Sequence, residues 1–164
     1  TVCLPGKPRC DRCPLVRLCR AKQIGKTETL PITIRRATPR RVTHHIVVIM
    51  HKGQYLFEQR PDDGLWPNLW QMPTIEQLST RSGGQSVRNC AQQHIGLPLG
   101  EPIRIDAFTH HTTHRTIRFV VWATTLAKSR RSRNSGHWRR LNHVDDLPMS
   151  KPQQRVICLL SGCR

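Results

Sequence analysis

The chain has 164 residues, and its 27 lysines and arginines against 10 aspartates and glutamates give a formal charge of +17. This length suits one compact domain with an appendage. The charge favours nucleic acid, and after it an anionic membrane surface, over an acidic small molecule as the partner. The longest apolar run, residues 46–50, is too short to cross a bilayer, and the first residues lack the pattern of a secretory signal. We therefore expect a cytoplasmic protein without a membrane span, and its initial threonine indicates a processed chain or a piece of a longer one.

Four of the seven cysteines lie within the first 19 residues, at Cys3, Cys10, Cys13 and Cys19. An odd total and a tight cluster argue for thiolates on a metal in a reducing compartment rather than for a disulfide scaffold. Zinc sites usually pair two short Cys-x2-Cys elements, whereas only one is present here, and iron–sulfur clusters accept longer and less regular spacings. We expect an iron–sulfur cluster, with zinc and four unliganded cysteines as the alternatives.

The N-terminal quarter of the chain also concentrates the charge. Residues 1–43 carry 11 lysines and arginines against two acids, and the other 121 residues share a net charge of +8. The stretch that follows the cysteines contains prolines and many basic residues but little apolar periodicity, which is typical of a linker. The sequence therefore predicts a cysteine loop at 1–24, a linker at 25–41 and a folded domain at 42–164.

The folded part predicts a mixture of strands and helices. Strands are expected at 42–50, from 55 onward, at 103–108 and at 115–124, the first two joined by a turn at 51–53. A terminal helix is expected after Ser150 as its N-cap. A short amphipathic helix is expected at 86–95, with one face formed by Val87, Cys90, Ala91, His94 and Ile95. Such a mixture in a domain of this size indicates an α+β sandwich.

The cysteine spacing resembles the cluster loop of the helix-hairpin-helix DNA glycosylases, which include endonuclease III and the MutY-type adenine DNA glycosylases. The resemblance implies a [4Fe-4S] cluster held by Cys3, Cys10, Cys13 and Cys19. It also implies that the loop between the first two cysteines lies against the DNA backbone, which would bring Lys7 and Arg9 to phosphate groups. Lysine and arginine there provide affinity that is independent of sequence and sensitive to salt.

A second block resembles the C-terminal Nudix-like domain of the adenine DNA glycosylases. Residues 56–61, Leu-Phe-Glu-Gln-Arg-Pro, and 64–73, Gly-Leu-Trp-Pro-Asn-Leu-Trp-Gln-Met-Pro, are similar to the family's F-x-Q-R-P and G-L-W-x-x-L-W-E-F-P motifs. Residues 146–155 resemble its closing segment, so the blocks occur in the family's order over nearly the whole chain. The resemblance implies a Nudix-like α/β sandwich with a mixed sheet, and we expect Trp66 and Trp70 to pack in its core.

The residues argue against a Nudix hydrolase. Such an enzyme needs clustered carboxylates on one helix to hold Mg²⁺ against a pyrophosphate. The resemblance aligns Cys90, Gln93 and His94 with the three helix glutamates, and no Asp or Glu lies between Gln77 and Gly100. We therefore expect no pyrophosphate hydrolysis.

The loop 110–114, His-His-Thr-Thr-His, resembles the H-x-F-S-H loop with which adenine DNA glycosylases read 8-oxoguanine. The resemblance places Thr113 at the hydroxyl position, His110 and His114 at the two histidines, and Thr112 where the family has phenylalanine. A hydroxyl can both donate and accept, so it can test an oxidised purine edge, where O8 and N7–H differ from the bare N7 acceptor of guanine.

A competing register of this loop uses residues 108–110, which keeps the phenylalanine and moves the hydroxyl back to Thr109. The later register is preferred, because Ile117 and Phe119 then fall on the family's strand positions. A basic, serine-spaced loop at 128–133 is expected either to contact phosphate or to be a solvated strand connection.

Members of the family excise adenine in an N-terminal helical domain. There the adenine is flipped out of the stack, a glutamate acts as general acid and an aspartate stabilises the developing positive charge. The acids of this chain match neither role, so no catalytic residue is predicted and the chain alone is expected to be inactive. The expected partners are double-stranded DNA with 8-oxoguanine·adenine mispairs and the missing glycosylase domain, in a bacterial cytoplasm at the nucleoid, with the chain a monomer. The alternatives are a stand-alone basic metal-binding module for nucleic acid and a Nudix-type hydrolase.

Overall fold

The computed structural model describes residues 2–4, 6–30, 38–76, 79, 81–127 and 137–162. The chain divides into two compact units, Thr1–Thr38 and Pro39–Arg164, which we call the N-terminal unit and the sheet domain. The end of the predicted linker lies within the sheet domain, because Arg40 and Arg41 already belong to its first strand. None of the helices in the described ranges is long and apolar enough to span a membrane.

Short helical turns separate the cysteines of the N-terminal unit. Two 3-10 turns, Cys10–Arg12 and Val16–Leu18, are followed by one turn of α-helix, α1 (Arg20–Gln23). None of the residues described between positions 2 and 30 is buried. In its described part, the N-terminal unit therefore has no hydrophobic core of its own.

The sheet domain is built on a mixed sheet. Its described elements are β1 (Arg40–His51), β2 (Gln54–Gln59), β3 (Trp70–Gln71), β4 (Thr74–Ile75), α2 (Gly84–Ile95), β5 (Ile103–His111), β6 (Arg115–Thr125), β7 (His137–Arg139), a 3-10 turn (Leu141–His143) and α3 (Lys151–Ser161). The strand order is β3-β2-β1-β6-β5, with β4 beside β1 and β7 beside β2. Strands β1 and β6 run parallel, and the other pairs are antiparallel.

Helices cover both faces of the sheet, which confirms the predicted α+β sandwich. On one face α2 packs Val87, Ala91 and Ile95 against β1 and β6. On the other face α3 contributes Val156 to a second core cluster. Residues 44–49 of β1 are all buried, because this strand has neighbours on both sides and helices on both faces.

The structure corrects the predicted elements in detail. Helix α2 begins at Gly84, two residues before the predicted start, and His94 leaves its apolar face, with 46% of the side chain exposed. Ser150 stands at the N-cap of α3 as predicted, but its side chain makes no capping hydrogen bond. Strands β3, β4 and β7 were not predicted, because two or three residues are too few for an alternating pattern.

Candidate functional site

The β5–β6 hairpin carries the loop that resembles a lesion reader. Strand β5 ends at His111 and β6 begins at Arg115, so residues 112–114 form the tip. The Thr112 hydroxyl accepts a hydrogen bond from the Arg115 backbone N–H at 3.0 Å and lies 3.1 Å from the Arg115 carbonyl oxygen. The Thr112 backbone N–H donates to that carbonyl at 2.8 Å. Thr112 thus closes the turn, which is a structural role at the position that the preferred register aligns with phenylalanine.

Thr113 and His114 lie at the exposed end of this hairpin. Within the described part of the chain, the Thr113 hydroxyl has no hydrogen-bond partner, so its donor and acceptor capacity is available to a ligand. The backbone carbonyl of His114 accepts a hydrogen bond from the Arg40 backbone N–H at 3.0 Å. The tip is therefore anchored to the start of β1 as well as to its own two strands.

His110 lies against an aromatic stack that supports the hairpin. Its ring is 5.7 Å from the Trp66 ring, and Trp66 in turn stacks over Phe119 at 6.3 Å. Trp66 has a φ of 55°, which is rare for a bulky residue and indicates that packing holds it there. Trp66 and Trp70 both pack against the second core cluster, which confirms their predicted role in the core.

The residues of the competing register occupy the body of β5. Phe108 is buried and stacks with Phe119 at 5.2 Å. Thr109 is exposed but lies in the middle of the β5–β6 ladder, directly opposite Arg118. In that register the hydroxyl would come from the sheet face, whereas in the preferred register it comes from the hairpin tip.

The three residues that align with the Nudix helix glutamates line one cavity. Cys90, Gln93 and His94 face Thr74, Ile75 and Glu76 across a space of about 500 Å³, which we call the helix cavity. A thiol, an amide and an imidazole replace the carboxylates there. Hard divalent cations prefer several charged oxygens, and Glu76 is the sole carboxylate among the lining residues.

The carboxylates near the helix cavity are engaged by side chains of the protein. Glu58 accepts a hydrogen bond from His94 Nε2 at 2.8 Å and another from Gln71 Nε2 at 2.9 Å. Arg60 then donates to Gln71 Oε1 at 2.7 Å and to Glu76 Oε1 at 3.0 Å. The hydrogen bond to Glu58 raises the pKa of His94, against the effect of burial. These five residues, which we call the polar relay, join two carboxylates to one guanidinium, one amide and one imidazole.

Two buried histidines extend the polar interior beside this relay. His45 Nδ1 accepts a hydrogen bond from Trp122 Nε1 at 3.0 Å, and its Nε2 donates to the Ser79 carbonyl at 2.9 Å. This arrangement requires the neutral imidazole, and burial lowers the pKa of His45. Burial also lowers the pKa of His44, whose Nδ1 lies 3.6 Å from Glu76 Oε1.

The four N-terminal cysteines surround one cavity of about 230 Å³, which we call the cysteine cavity. All four are free thiols, and the lining between them is mostly apolar, with Val2, Pro8, Val16, Ala21 and Leu30. No three His, Cys, Asp or Glu side chains in the described ranges form a group that could hold a metal ion. In the described ranges the four thiols thus share a cavity without forming a ligand set for a metal ion.

The two basic residues predicted to contact phosphate are exposed in the N-terminal unit. Arg9 also lines the cysteine cavity, and its backbone N–H donates to the Val2 carbonyl at 3.1 Å. Lys7 lies at the turn of the same loop. The basic loop at 128–133 lies outside the described residues.

Several residues that shape the site were missed in the sequence. The polar relay was missed because Glu58, Arg60 and Gln71 were considered only as parts of the two motifs that resemble the family, and not for their own charge. The available signal was a pair of opposite charges, Glu58 and Arg60, two positions apart next to the apolar Phe57. The closing role of Thr112 had no sequence signal beyond the preference of threonine for turns.

Comparison with known proteins links both units to one kind of relative. The family model of the NUDIX domain matches residues 44–159. The adenine DNA glycosylase of Buchnera aphidicola subsp. Schizaphis graminum is 24% identical over 166 residues, which cover 95% of this chain and 44% of the relative. The adenine DNA glycosylase of Homo sapiens is 24% identical over 176 residues, covering 77% of this chain and 32% of the relative. The chain thus spans less than half the length of these relatives.

Solved structures share the fold of the sheet domain. The C-terminal domain of mouse MUTYH, in a complex with human PCNA, superposes with a TM-score of 0.60 at 17% identity, over 75% of this chain and 89% of that one. A MutT NUDIX hydrolase from Burkholderia pseudomallei superposes with a TM-score of 0.57 at 12% identity, over 72% of this chain and 96% of that one. At these identities the likeness shows the fold alone.

Proposed function

Because this chain belongs to the NUDIX domain family, with adenine DNA glycosylases among its relatives, we propose that it is the C-terminal part of an adenine DNA glycosylase. In this proposal the parent protein removes adenine mispaired with 8-oxoguanine in base-excision repair. The chain itself binds double-stranded DNA and reads 8-oxoguanine, while the excision chemistry belongs to a glycosylase domain outside it. A relationship to adenine DNA glycosylases and a Nudix-like fold are the established basis for this proposal.

The observation that carries the proposal is the contrast between the engaged carboxylates and the unengaged hairpin tip. Glu76 is bound by Arg60 and Glu58 accepts a hydrogen bond from His94, so the helix cavity offers no free carboxylate pair to a divalent cation. The Thr113 hydroxyl, by contrast, stands exposed on an anchored turn. A reader needs such a group to distinguish the N7–H and O8 edge of 8-oxoguanine from guanine. His114 is the adjacent exposed residue and would add a contact to the same nucleotide, and His110 on β5 would add one from beside Trp66.

We further propose that Cys3, Cys10, Cys13 and Cys19 hold a [4Fe-4S] cluster. The cluster would supply structural cross-links between four thiolates rather than reaction chemistry. Arg9, which lines the cysteine cavity, and Lys7 on the same loop would then be held at a surface where they can contact DNA phosphates. The apolar lining of the cavity would limit the access of water to the cluster.

The reading role predicts a change of preference rather than of overall affinity. We expect Thr113→Ala to lower the ratio of affinities for an 8-oxoguanine·adenine duplex and a guanine·adenine duplex by about 3- to 10-fold, which is the contribution of one hydrogen bond. Fluorescence anisotropy with the two duplexes, which differ only at that purine, measures the ratio. Affinity for the guanine duplex should not change.

Thr109→Ala is the matched control for this experiment, because it removes the same atoms from the competing register. It should leave the ratio as it is in the native chain. An effect of Thr109→Ala alone would assign the reading hydroxyl to the sheet face, and no effect of either variant would reject a threonine reader. Hydrolysis of 8-oxo-dGTP by the chain with Mg²⁺ would favour the Nudix hydrolase instead, and we expect none.

A further inference from the structure

A second polar cavity lies on the sheet, beside the hairpin tip. It has a volume of about 690 Å³, and we call it the arginine cavity. Strands β1, β6 and β5 supply most of its lining, and the segment after β4 supplies the rest. The lining residues are Arg41, Val42, Thr43, Glu76, Ser79, Thr109, Thr116 and Arg118.

Strand register explains how these side chains come together. Thr43, Arg118 and Thr109 are direct neighbours across the three strands, so they form one row on one face of the sheet. Arg41, Thr116 and His111 form the next row toward the hairpin tip. The two rows are about 6–7 Å apart, since each strand residue advances by roughly 3.3 Å. The second row ends two residues from Thr113, so the arginine cavity and the tip form one continuous surface.

This polar half of the sheet face continues into an apolar half. Further along β1 and β6, Val47, Ile49 and Val120 lie in the core cluster beneath α2. In the described ranges no helix covers the rows of Arg41 and Arg118, and both arginines are exposed. The same face of the sheet therefore changes from a packing surface to an open surface rich in guanidinium and hydroxyl groups.

In the part of the chain that the structure describes, the two arginines of the arginine cavity have no acidic partner. Within the described residues, Arg41 and Arg118 form no ion pair, and neither does Arg40 beside them. The single carboxylate in the lining, Glu76, is bound by Arg60 at 3.0 Å. Two free guanidiniums with threonine and serine hydroxyls are donors for a phosphate group. No tryptophan, tyrosine or phenylalanine ring lines this cavity, so it lacks the stacking surface that a nucleobase prefers.

We propose that the arginine cavity binds a phosphate of the DNA backbone next to the nucleotide that meets the hairpin tip, with Arg41 and Arg118 as its main donors. This inference rests on the proposed DNA-binding function. It adds a second contact of a different kind: the tip tests the base, and the arginine cavity fixes the position of the strand on which that base lies. Phosphate contacts of this kind set the register of a protein on a duplex without reading its sequence.

The test measures how DNA affinity depends on salt, with the full chain and both duplexes. We expect Arg41→Gln/Arg118→Gln to weaken binding to the 8-oxoguanine and the guanine duplex by the same factor, roughly 10-fold or more at low salt. The slope of log affinity against log salt, measured between about 50 and 200 mM, should become shallower by about two. The preference between the two duplexes should not change. Arg118→Lys keeps the charge and should restore most of the slope but not all of the affinity.

Arg104→Gln is the charge-matched control, because Arg104 is exposed on β5 and does not line the cavity. It should leave the slope nearly unchanged. An unchanged slope in the double variant, or an equal loss in Arg104→Gln, would overturn the inference. Circular dichroism confirms that the variants are folded. If the native chain shows no preference for the 8-oxoguanine duplex but the double variant has the expected shallower salt slope, the reading role is rejected and the phosphate site is retained.

Free nucleotides are a second source of the same phosphate chemistry. We expect the double variant to change the affinity for dGTP, measured by calorimetry at the same salt concentrations, much less than the affinity for duplex DNA. A dGTP site that depends more strongly on Arg41 and Arg118 than duplex binding does would assign the cavity to free nucleotides and overturn the proposal.

Discussion

The N-terminal unit and the sheet domain reach an ordered conformation by different means. None of the residues described between 2 and 30 is buried, and the four cysteines face a common cavity. The sheet domain instead has two core clusters, one on each face of its sheet. Burial of apolar surface, at about 25 cal/mol per Å², stabilises a domain with such core clusters. A segment without a core needs cross-links or a bound group instead. We therefore expect the N-terminal unit, unlike the sheet domain, to depend on the proposed cluster for its order.

The largest expected effect is the loss of order in the N-terminal unit when the proposed cluster is removed. Cys10→Ser/Cys13→Ser should abolish bound iron and sulfide, and the amides of residues 6–30 should exchange at nearly the rate of an unfolded chain. The amides of the sheet domain should keep their protection, because its core clusters do not include these cysteines. Hydrogen exchange with mass spectrometry and iron analysis measure both responses.

Cys90→Ser is the matched control for the loss of the cluster, since it removes a thiol from α2 in the sheet domain. It should keep the iron, the sulfide and the visible absorbance. Protection of the amides of residues 6–30 in protein without iron would show that this unit is ordered without a cluster. A colourless protein with one bound zinc per chain would indicate a zinc site in place of the iron–sulfur cluster.

The next largest effect should come from the core of the sheet domain. Phe119 is 1% exposed and stacks against Phe108 and Trp66, so Phe119→Ala should lower the free energy of unfolding by about 3–5 kcal/mol. All four tryptophans lie in the sheet domain, so their fluorescence in a urea titration reports this unit. Visible absorbance in the same titration would report the proposed cluster.

Phe119→Leu fills more of the space than alanine and should cost clearly less. The midpoint of the absorbance change should be the same in the native chain and in both variants. A shift of that midpoint together with the fluorescence midpoint would show that the two units unfold together and that their stabilities are not independent.

The smallest effect concerns pH and should again be confined to the sheet domain. Burial lowers the pKa of His44 and of His45 below the ordinary 6.5, so below that pH the unfolded chain binds protons that the folded chain does not. The free energy of unfolding should therefore fall as the pH decreases from about 6.5 toward the folded pKa values, by up to about 1.4 kcal/mol per pH unit for each histidine. Urea titrations between about pH 5.5 and 7.5 measure this slope.

His45→Gln should make this pH dependence weaker, since one of the two histidines no longer titrates. His94→Gln should act in the opposite direction. The pKa of His94 is raised, so its contribution to stability is complete below 6.5 and is lost as the pH rises through the folded value. The effect of His94 should be small, because the side chain is 46% exposed. Equal slopes in the native chain and His45→Gln would reject the role of this buried histidine.

Local pattern was sufficient to predict much of the fold, including the two strands of the hairpin that carries the candidate site. The apolar run of β1 and the spacing of Val87, Ala91 and Ile95 determine a central strand and a helix that packs on it. The hairpin tip followed from two strands separated by a short polar stretch. These features depend on residues that are neighbours in the sequence, and the predicted boundaries therefore differ from the observed ones by only a few positions.

The rest of the site depends on pairing between distant segments. The row of Thr43, Arg118 and Thr109 exists because β1 runs parallel to β6 in one particular register, and a single sequence carries no local signal for that register. The polar relay likewise needs β3 beside β2 and the short β4 beside β1. His94 was predicted on an apolar face, but its pairing with Glu58, 36 positions away, places it toward solvent.

The polar relay also limits how this domain could evolve or be engineered toward hydrolysis. Installing glutamates at Cys90 and Gln93 alone would leave Glu58 bound to His94 and Glu76 bound to Arg60. His94→Glu would remove the hydrogen-bond donor of Glu58 and leave two carboxylates close together, which would repel each other until a metal bound. A path to a metal-dependent enzyme therefore passes through less stable sequences, and the engaged carboxylates of the relay favour retention of the present site.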